Sequence, residues 1–259
     1  MIFLKLGGSL ITLKDQPETA RLDVLARLAG EIAEARRTFP EMRLLIGHGS
    51  GSFGHTMAAR HGTHLGGDNW TGFAQVWRSA NRLNRLVVDS LVEAGLPAMS
   101  FPPSASARAR GGVLVELAVD PIRRALDTGL LPVVQGDVAF DEVSGTTIVS
   151  TEKVFAFLAP HLTPQRLLLA GIDRGVYLDF PHNRRVADLV TAADLPGLSL
   201  GGSSATDVTG GMADKVRHAL AMVGAVPGLE ARIFSGEEPG NVRQALLGSS
   251  SGTRITAGP

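Results

Sequence analysis

The lysines of this chain indicate where its chemistry lies. The sequence contains four lysines and 21 arginines, and three of the four lysines lie in or just after glycine-rich segments. Lysine is a compact charge on a flexible stem, which suits it to follow a phosphoryl group as it moves, whereas arginine is a wide planar fork. If GC-rich codon bias alone had replaced lysine by arginine, the remaining lysines would be expected mainly on solvated helix faces. We therefore interpret three of them as phosphate-binding residues: Lys5, Lys14 and Lys215.

Three glycine-rich turns accompany these lysines. They are Gly7-Gly8-Ser9 (the first glycine loop), residues 47–55 (the second glycine loop) and Gly210-Gly211, shortly before Lys215. Glycine lets the backbone approach an anion closely, and the start of a helix adds a favourable dipole. One such turn alone is more often structural, but three turns that each accompany a lysine or a histidine favour phosphate binding. The Walker pattern and the dinucleotide fingerprint are missing from their expected context, so the design is a different one.

The side chains of the second glycine loop also indicate the type of group that accepts the phosphoryl group. It contains histidines and hydroxyl side chains but no carboxylate. A phosphate monoester is mostly dianionic at neutral pH, since its second pKa is about 6, and it needs no general base. An alcohol acceptor would more often use a positioned carboxylate to take its proton. The loop therefore favours a phosphate or phosphonate acceptor.

Four histidines lie close together in sequence: His48, His55, His61 and His64. Their spacing matches no common zinc pattern and the chain has no cysteine, so we expect no metal site formed by protein ligands. We predict that His48 is a loop or core histidine and that His55 binds phosphate.

An apolar stripe lies further along the chain. Its spacing is helical, which is most often the sign of a core-facing side. The residues of the stripe, Phe73, Val76, Trp77 and Ala80, are together with Trp70 candidates for the wall of an apolar acceptor pocket.

Composition excludes several classes of protein. The formal net charge is zero and no basic run occurs, so nucleic acid is not an expected partner. The absence of cysteine excludes disulfides and fits a reducing compartment. The start of the chain lacks the features of a signal peptide, and no apolar run approaches the roughly 18 residues of a membrane span. We expect a soluble cytoplasmic protein with no membrane partner.

Apolar strand-like runs alternate with helical patterns along the whole chain, which predicts a three-layer α/β/α sandwich with a mostly parallel central sheet. No linker or change of composition divides it, so residues 1–259 are interpreted as a single domain. Strands are predicted at 2–6, 43–46, 98–101, 131–135, 166–170 and 231–234, with an edge strand at 253–255 and a hairpin over 138–149. Helices are predicted at 21–37, 72–94, 121–128, 151–159, 212–223 and 240–247.

These motifs resemble those of the amino acid kinase superfamily and, within it, the isopentenyl phosphate kinases. The opening residues 4–9 with Lys14 resemble the nucleotide-side start of that family. Residues 48–55 are similar to its His-Gly-Gly-Gly-x-Phe-Gly-His loop, with Ser50 in place of one glycine. Residues 207–212 followed by Lys215 resemble its late nucleotide loop. The final His55 is the most discriminating residue, although fosfomycin kinases share it.

The resemblance implies ATP- and Mg²⁺-dependent phosphorylation of isopentenyl phosphate to isopentenyl diphosphate by a homodimer. It places the acceptor on the N-terminal part and the nucleotide on the C-terminal part. Residues implied to hold ATP are Lys5, Gly7, Gly8, Ser9, Gly51, Asp173, Gly211 and Lys215. Residues implied to bind the acceptor are Ser50, His55 and Thr151. Residues implied to act in catalysis are Lys14 at the γ-phosphate, Lys5, His55, Lys215, and Glu152 as the carboxylate that orients the lysines.

Two segments depart from the family pattern. Residues 150–153 read Ser-Thr-Glu-Lys where Ser-Gly-Asp-Asp is usual, so Glu152 has one extra methylene, Thr151 replaces a glycine and Lys153 adds a cation. Residues 171–176 read Gly-Ile-Asp-Arg-Gly-Val where Thr-Asp-Val-Asp-Gly-Val is usual, so the sequence does not assign the residues of the nucleotide-base pocket. The alternatives are a kinase of a phosphonate such as fosfomycin or of another small acid on the same fold, and a nucleotide-binding protein without turnover.

Overall fold

The computed structural model of the protein describes residues 1–62, 66–197, 211–249 and 251–258. Its centre is an eight-stranded sheet in which neighbouring strands are parallel except for one pair, β11 and β12. Across the sheet the strands are β10 (Leu189–Val190), β12 (Thr253–Ile255), β11 (Glu230–Ser235), β9 (Arg166–Gly171), β1 (Ile2–Leu6), β2 (Leu44–His48), β6 (Leu131–Gln135) and β3 (Ala98–Ser100). The predicted mostly parallel sheet is confirmed.

Helices cover both faces of this sheet. They are α1 (Gly8–Ile11), α2 (Leu22–Thr38), α3 (Gly51–His61), α4 (Trp70–Glu93), α5 (Val119–Asp127), α6 (Thr151–Leu162), α7 (Gly211–Ala225) and α8 (Asn241–Leu247). Alternate side chains of β1 enter opposite cores, because a strand directs successive residues to opposite faces. Leu4 packs in the core of α2, α4 and α8, whereas Phe3 packs in the core of α5, α6 and α7. The three-layer prediction is therefore also confirmed.

A second, four-stranded sheet lies beside the main one. It consists of β5 (Val113–Glu116), β4 (Arg108–Arg110), β7 (Asp137–Asp141) and β8 (Gly145–Val149), and it contains the predicted hairpin. Asp141 joins the two halves of this sheet by accepting four backbone N–H bonds, from Gly111, Gly112, Val143 and Ser144. Burial would raise the pKa of Asp141, but these donors hold it well below its usual range.

Two predictions about the elements are wrong. Residues 253–255 do not form an edge strand, because β10, only two residues long, pairs with β12 and takes the outer position. The second glycine loop is not entirely a loop, because α3 already begins at Gly51. Among the described residues, no helix is long and apolar enough to cross a membrane.

Candidate active site

A cleft of about 920 Å³ opens at the carboxyl ends of β1, β2, β6 and β9. This is the edge at which open α/β sheets bind ligands. Most of the residues selected from the sequence line it: Lys5, Gly7, Gly8, Ser9, Ser50, Gly51, Thr151, Glu152, Gly211 and Lys215. Segments distant in sequence therefore meet at one place.

The two glycine loops lie backbone against backbone in this cleft. A β-carbon on Gly8 would lie 2.5 Å from the backbone nitrogen of Gly51, and one on Gly49 would lie 2.8 Å from that of Gly8. Thr12 ties the loops together, since its hydroxyl donates to the carbonyl of Gly8 (2.8 Å) and accepts from the N–H of Ser52 (3.0 Å). No side chain larger than hydrogen fits between these loops without displacing backbone.

Besides the one-turn helix α1, which starts at Gly8, three longer helices of the described chain begin at the cleft. Gly51 starts α3, Thr151 starts α6 and Gly211 starts α7, and all three residues line the cleft. The N-terminus of a helix carries unpaired N–H groups and a partial positive charge, both of which favour an anion. Together with Lys5 and Lys215 they make the cleft suitable for a polyphosphate.

Lys5 and Glu152 form a buried ion pair in the floor of the cleft. Their side chains are 9% and 10% exposed, and the Nζ of Lys5 donates to a carboxylate oxygen of Glu152. Burial alone would raise the pKa of Glu152, but the charge of Lys5 and its hydrogen bond lower it to about 2. The ion pair thus holds the ammonium group of Lys5 against Glu152, which lies in the first turn of α6.

The start of α6 is held by its own residues. The hydroxyl of Ser150 accepts from the N–H of Lys153 (3.3 Å), and the hydroxyl of Thr151 donates to the carbonyl of His48 (2.6 Å). The Nζ of Lys153 donates to the carbonyl of Gly112 in the β4–β5 turn (2.8 Å). The extra cation of this segment therefore binds a hairpin and is not among the residues that line the cleft.

His48 is a core histidine, as predicted. It is 1% exposed and both ring nitrogens have a partner: Nδ1 lies 3.1 Å from the carbonyl of Gly49, and Nε2 lies 3.0 Å from the side-chain nitrogen of Asn84. The amide oxygen of Asn84 accepts in turn from the hydroxyl of Ser100. Burial lowers the pKa of His48 to about 4.

Acidification is expected to destabilise the fold between pH 6.5 and about 4 because of His48. In that range the unfolded chain binds a proton at this imidazole and the folded protein does not. The free energy of unfolding therefore decreases as the pH is lowered. Denaturant titrations at several pH values measure this slope, and His48→Gln should reduce it. A directly titrated imidazole pKa for His48 near its ordinary value would contradict the prediction.

A second pocket of about 310 Å³ adjoins the cleft between β9 and α7. Asp173, Met212 and Lys215 line it, and Lys5 reaches it from the other side. A β-carbon on Gly171 would lie 3.9 Å from the Nζ of Lys215, so this lysine stands close to the end of β9. Asp207 and Gly210 of the late loop lie outside the described residues.

The opposite end of the cleft is apolar. We call it the apolar end; its residues are Ala58, Val76, Ala80, Ile148 and Val149. Of the five candidate wall residues, Val76 and Ala80 line the cleft, and Phe73 packs against the cluster that contains Val76. Trp70 and Trp77 do not line the cleft, because they lie on the outer side of α4 and are 49% and 45% exposed.

The sequence analysis also missed Asp137, a buried carboxyl group that lines the cleft. It accepts from the N–H of Ser104 (3.2 Å) and of Val138 (2.9 Å), and burial raises its pKa. Its signal in the sequence was its position: Asp137 follows the predicted apolar strand at 131–135 after a single glycine.

Two predicted residues are not placed in the cleft. Lys14 is exposed in the turn after α1 and is absent from the described cleft lining. His55 lies in α3, but its side chain is outside what the structure describes.

The fold and the cleft agree with the comparison to known families. The amino acid kinase family matches residues 1–235, and the chain belongs to this family. Within it, the chain is similar to isopentenyl phosphate kinases: it is 38% identical to that of Methanothermobacter thermautotrophicus, over 99% of both chains. It is 39% identical to that of Haloferax volcanii, over 98% of both chains. An X-ray structure of an isopentenyl phosphate kinase superposes with a TM-score of 0.85 at 34% identity, covering 99% of this chain and 100% of the other.

Proposed function

We propose that this kinase transfers the γ-phosphoryl group of ATP to isopentenyl phosphate, giving isopentenyl diphosphate. The observation that carries the proposal is the composition of the cleft, which has lysines and helix N-termini at its centre and hydrocarbon side chains at one end. Such a cleft suits an acceptor with a phosphate head and a short apolar tail. The similarity to isopentenyl phosphate kinases over nearly the whole chain supports the same substrate.

We assign the two substrates to opposite sides of the cleft within one domain, residues 1–259. ATP would lie on the C-terminal side, where Asp173 and Lys215 line the pocket beside β9 and Gly211 lines the adjoining cleft. The acceptor would lie on the N-terminal side, with its phosphate at Ser50 and His55 and its tail at the apolar end. Gly8, Ser9 and Gly51 would contact the ATP phosphates between them. Homodimer formation and a cytoplasmic location are expected from the family resemblance.

The proposed chemistry relies on charge placement. Phosphoryl transfer passes through a loose transition state with negative charge spread over the transferred group, so positioned cations stabilise it. Lys5 and Lys215 approach the cleft from two elements, and Glu152 fixes the first of them. The acceptor phosphate is already a nucleophile at neutral pH and no base is assigned to it.

Mg²⁺ is proposed to enter with ATP, held by its phosphate oxygens. The described carboxylates of the cleft do not suit a protein-bound ion: Glu152 is paired with Lys5, and Asp137 accepts two backbone N–H bonds. We therefore assign no protein ligand to the metal.

A parallel ADP-release assay tests the proposal. It offers isopentenyl phosphate, dimethylallyl phosphate, fosfomycin and acetylglutamate with Mg-ATP. Preferred turnover of the isoprenoid monophosphates supports the proposed function, and turnover of fosfomycin alone would replace the acceptor by a phosphonate. ATP binding without turnover of any of the four would contradict it and favour a different acceptor or a nucleotide-binding protein.

His55→Ala is expected to raise the KM for isopentenyl phosphate far more than the KM for ATP. The reason is the place of His55 at the end of the second glycine loop, which the family resemblance assigns to the acceptor phosphate. Loss of one hydrogen bond to a charged group corresponds to about 1.5–3 kcal/mol, or roughly 10- to 150-fold. Initial-rate kinetics with each substrate varied in turn measure the effect. Equal losses for both substrates would remove His55 from the acceptor site.

A further inference from the structure

The turn that carries Lys14 is closed at its base by backbone pairing. Thr12 and Ala20 form an antiparallel bridge, and the N–H of Leu13 donates to the carbonyl of Thr19 (3.0 Å). We call residues 13–19 the Lys14 loop. Lys14 lies on its outgoing limb and is exposed, so the position of its ammonium group depends on how the return limb is held.

Glu18 anchors that return limb with both its backbone and its side chain. Its N–H donates to the carbonyl of Ser52 in the second glycine loop (3.2 Å). Its carboxylate accepts from the hydroxyl of Ser79 (2.6 Å) and from the guanidinium of Arg82 (2.6 Å), both on α4. Ser79 and Arg82 are three residues apart, so they lie on the same face of that helix.

The backbone of Glu18 is held in an uncommon conformation, with φ at 50°. A side chain larger than glycine keeps a left-handed φ only when its surroundings impose it, and such residues cluster at functional sites. Here the surroundings are the bonds to Ser52, Ser79 and Arg82.

The partners of Glu18 belong to the cleft. Ser79 is buried between Val76 and Ala80 on α4, and both of these line the apolar end. The hydroxyl of Ser79 also lies 2.9 Å from the carbonyl of Phe53 in α3. Glu18 therefore joins the Lys14 loop to the second glycine loop through its backbone N–H and to the wall of the apolar end through its carboxylate.

We propose that Glu18 is a positioning residue that fixes the Lys14 loop against the wall of the apolar end, so that Lys14 is held in register with the bound acceptor. The inference rests on the proposed function and on the place at the transferred γ-phosphoryl group that the family resemblance implies for Lys14. Glu18 contacts neither substrate in this account and acts only through Lys14.

A double-mutant cycle tests this dependence. Glu18→Ala is expected to lower kcat by about 10- to 100-fold, the cost of displacing a catalytic group by about an ångström, with the KM for ATP little changed. In a Lys14→Ala background the same substitution should cause no further loss. The proposal would be overturned if the decrease in kcat of the double variant equalled the product of the two single decreases, or if kcat were unchanged in Glu18→Ala.

Two variants serve as controls. Glu18→Gln keeps an oxygen acceptor for Ser79 and loses only the charge opposite Arg82, whose side chain is 54% exposed, so most of kcat should return. Asp89→Asn removes the ion pair with Arg85 elsewhere on α4 and should leave kcat unchanged. A Glu18→Gln variant as impaired as Glu18→Ala would contradict the role assigned to the bond with Ser79.

Hydrogen exchange separates this inference from the proposed function. In Glu18→Ala the backbone amides of the Lys14 loop, which exclude Pro17, should exchange faster than in the original protein, while those of α2 should not. This readout needs no turnover, so it stands even if isopentenyl phosphate is not the acceptor. Unchanged exchange in the Lys14 loop would overturn the anchoring role of Glu18. An unaffected kcat in Lys14→Ala would overturn the function of Lys14 and, with it, the proposal that Glu18 acts through Lys14.

Discussion

Replacing Lys5 with methionine is expected to lower kcat by about 10²- to 10³-fold and to destabilise the fold by about 3–5 kcal/mol. The first effect follows from the loss of one positioned charge in the transition state. The second follows because the partner carboxylate of Glu152 would stay buried without its cation, which costs that much in proteins. Methionine preserves the length and shape of the lysine stem, so packing changes little.

The pH dependence of this variant has a definite sign. In the original protein the pKa of Glu152 is about 2, below its unfolded value, so the ion pair contributes fully above the unfolded pKa and is lost as pH falls toward 2. Without Lys5, burial raises the pKa of Glu152 above its ordinary value. The loss in the free energy of unfolding that Lys5→Met causes should therefore become smaller on acidification, because a protonated carboxyl group tolerates burial.

The double variant Lys5→Met/Glu152→Gln separates stability from catalysis. It removes both charges and keeps the volume, so the free energy of unfolding should recover most of the loss, whereas kcat should not. Denaturant unfolding and ADP release on the same preparations measure the two quantities. A Lys5→Met protein as stable as the original would show that the pair is unimportant for folding.

The fold could be predicted from the sequence largely because its strands are continuous apolar runs. The exceptions have physical causes. Helix α3 begins among glycines with poor helix propensity, and it forms because Phe53 is buried in the core and the loop packs against Gly8. The two residues of β10 carry no periodic signal, and their pairing with β12 is a tertiary contact.

The candidate site could be predicted only in part. The glycine positions and two of the lysines, Lys5 and Lys215, identified residues that line the cleft, because each signal lies within one short segment. The stripe on α4 identified Val76 and Ala80, but its spacing alone does not tell which buried residues face a cavity, and Trp77 faces outward. Contacts between distant segments, such as those of Glu18 with Ser79, have no local signal at all.

Gly8→Ala is expected to lower kcat/KM by about 100-fold or more, with a loss of stability of about 1–3 kcal/mol. Gly8 does not have a positive φ, so alanine is compatible with its backbone conformation and the effect comes from space alone. The new methyl group would lie 2.5 Å from the nitrogen and 2.7 Å from the α-carbon of Gly51. Because both are backbone atoms, the first and second glycine loops must separate, and their anion-binding groups no longer converge on one phosphate.

Gly30→Ala provides the matched control. This glycine lies within α2, and a β-carbon there would meet no atom within 4 Å. Alanine should therefore stabilise the helix by about 0.5–1 kcal/mol and leave kcat/KM unchanged. Steady-state kinetics and thermal unfolding of both variants make the comparison. Since the two substitutions are chemically identical, a similar kcat/KM for both would mean that the close approach of the glycine loops is not what the reaction requires; a loss confined to Gly8→Ala would place the requirement in that contact.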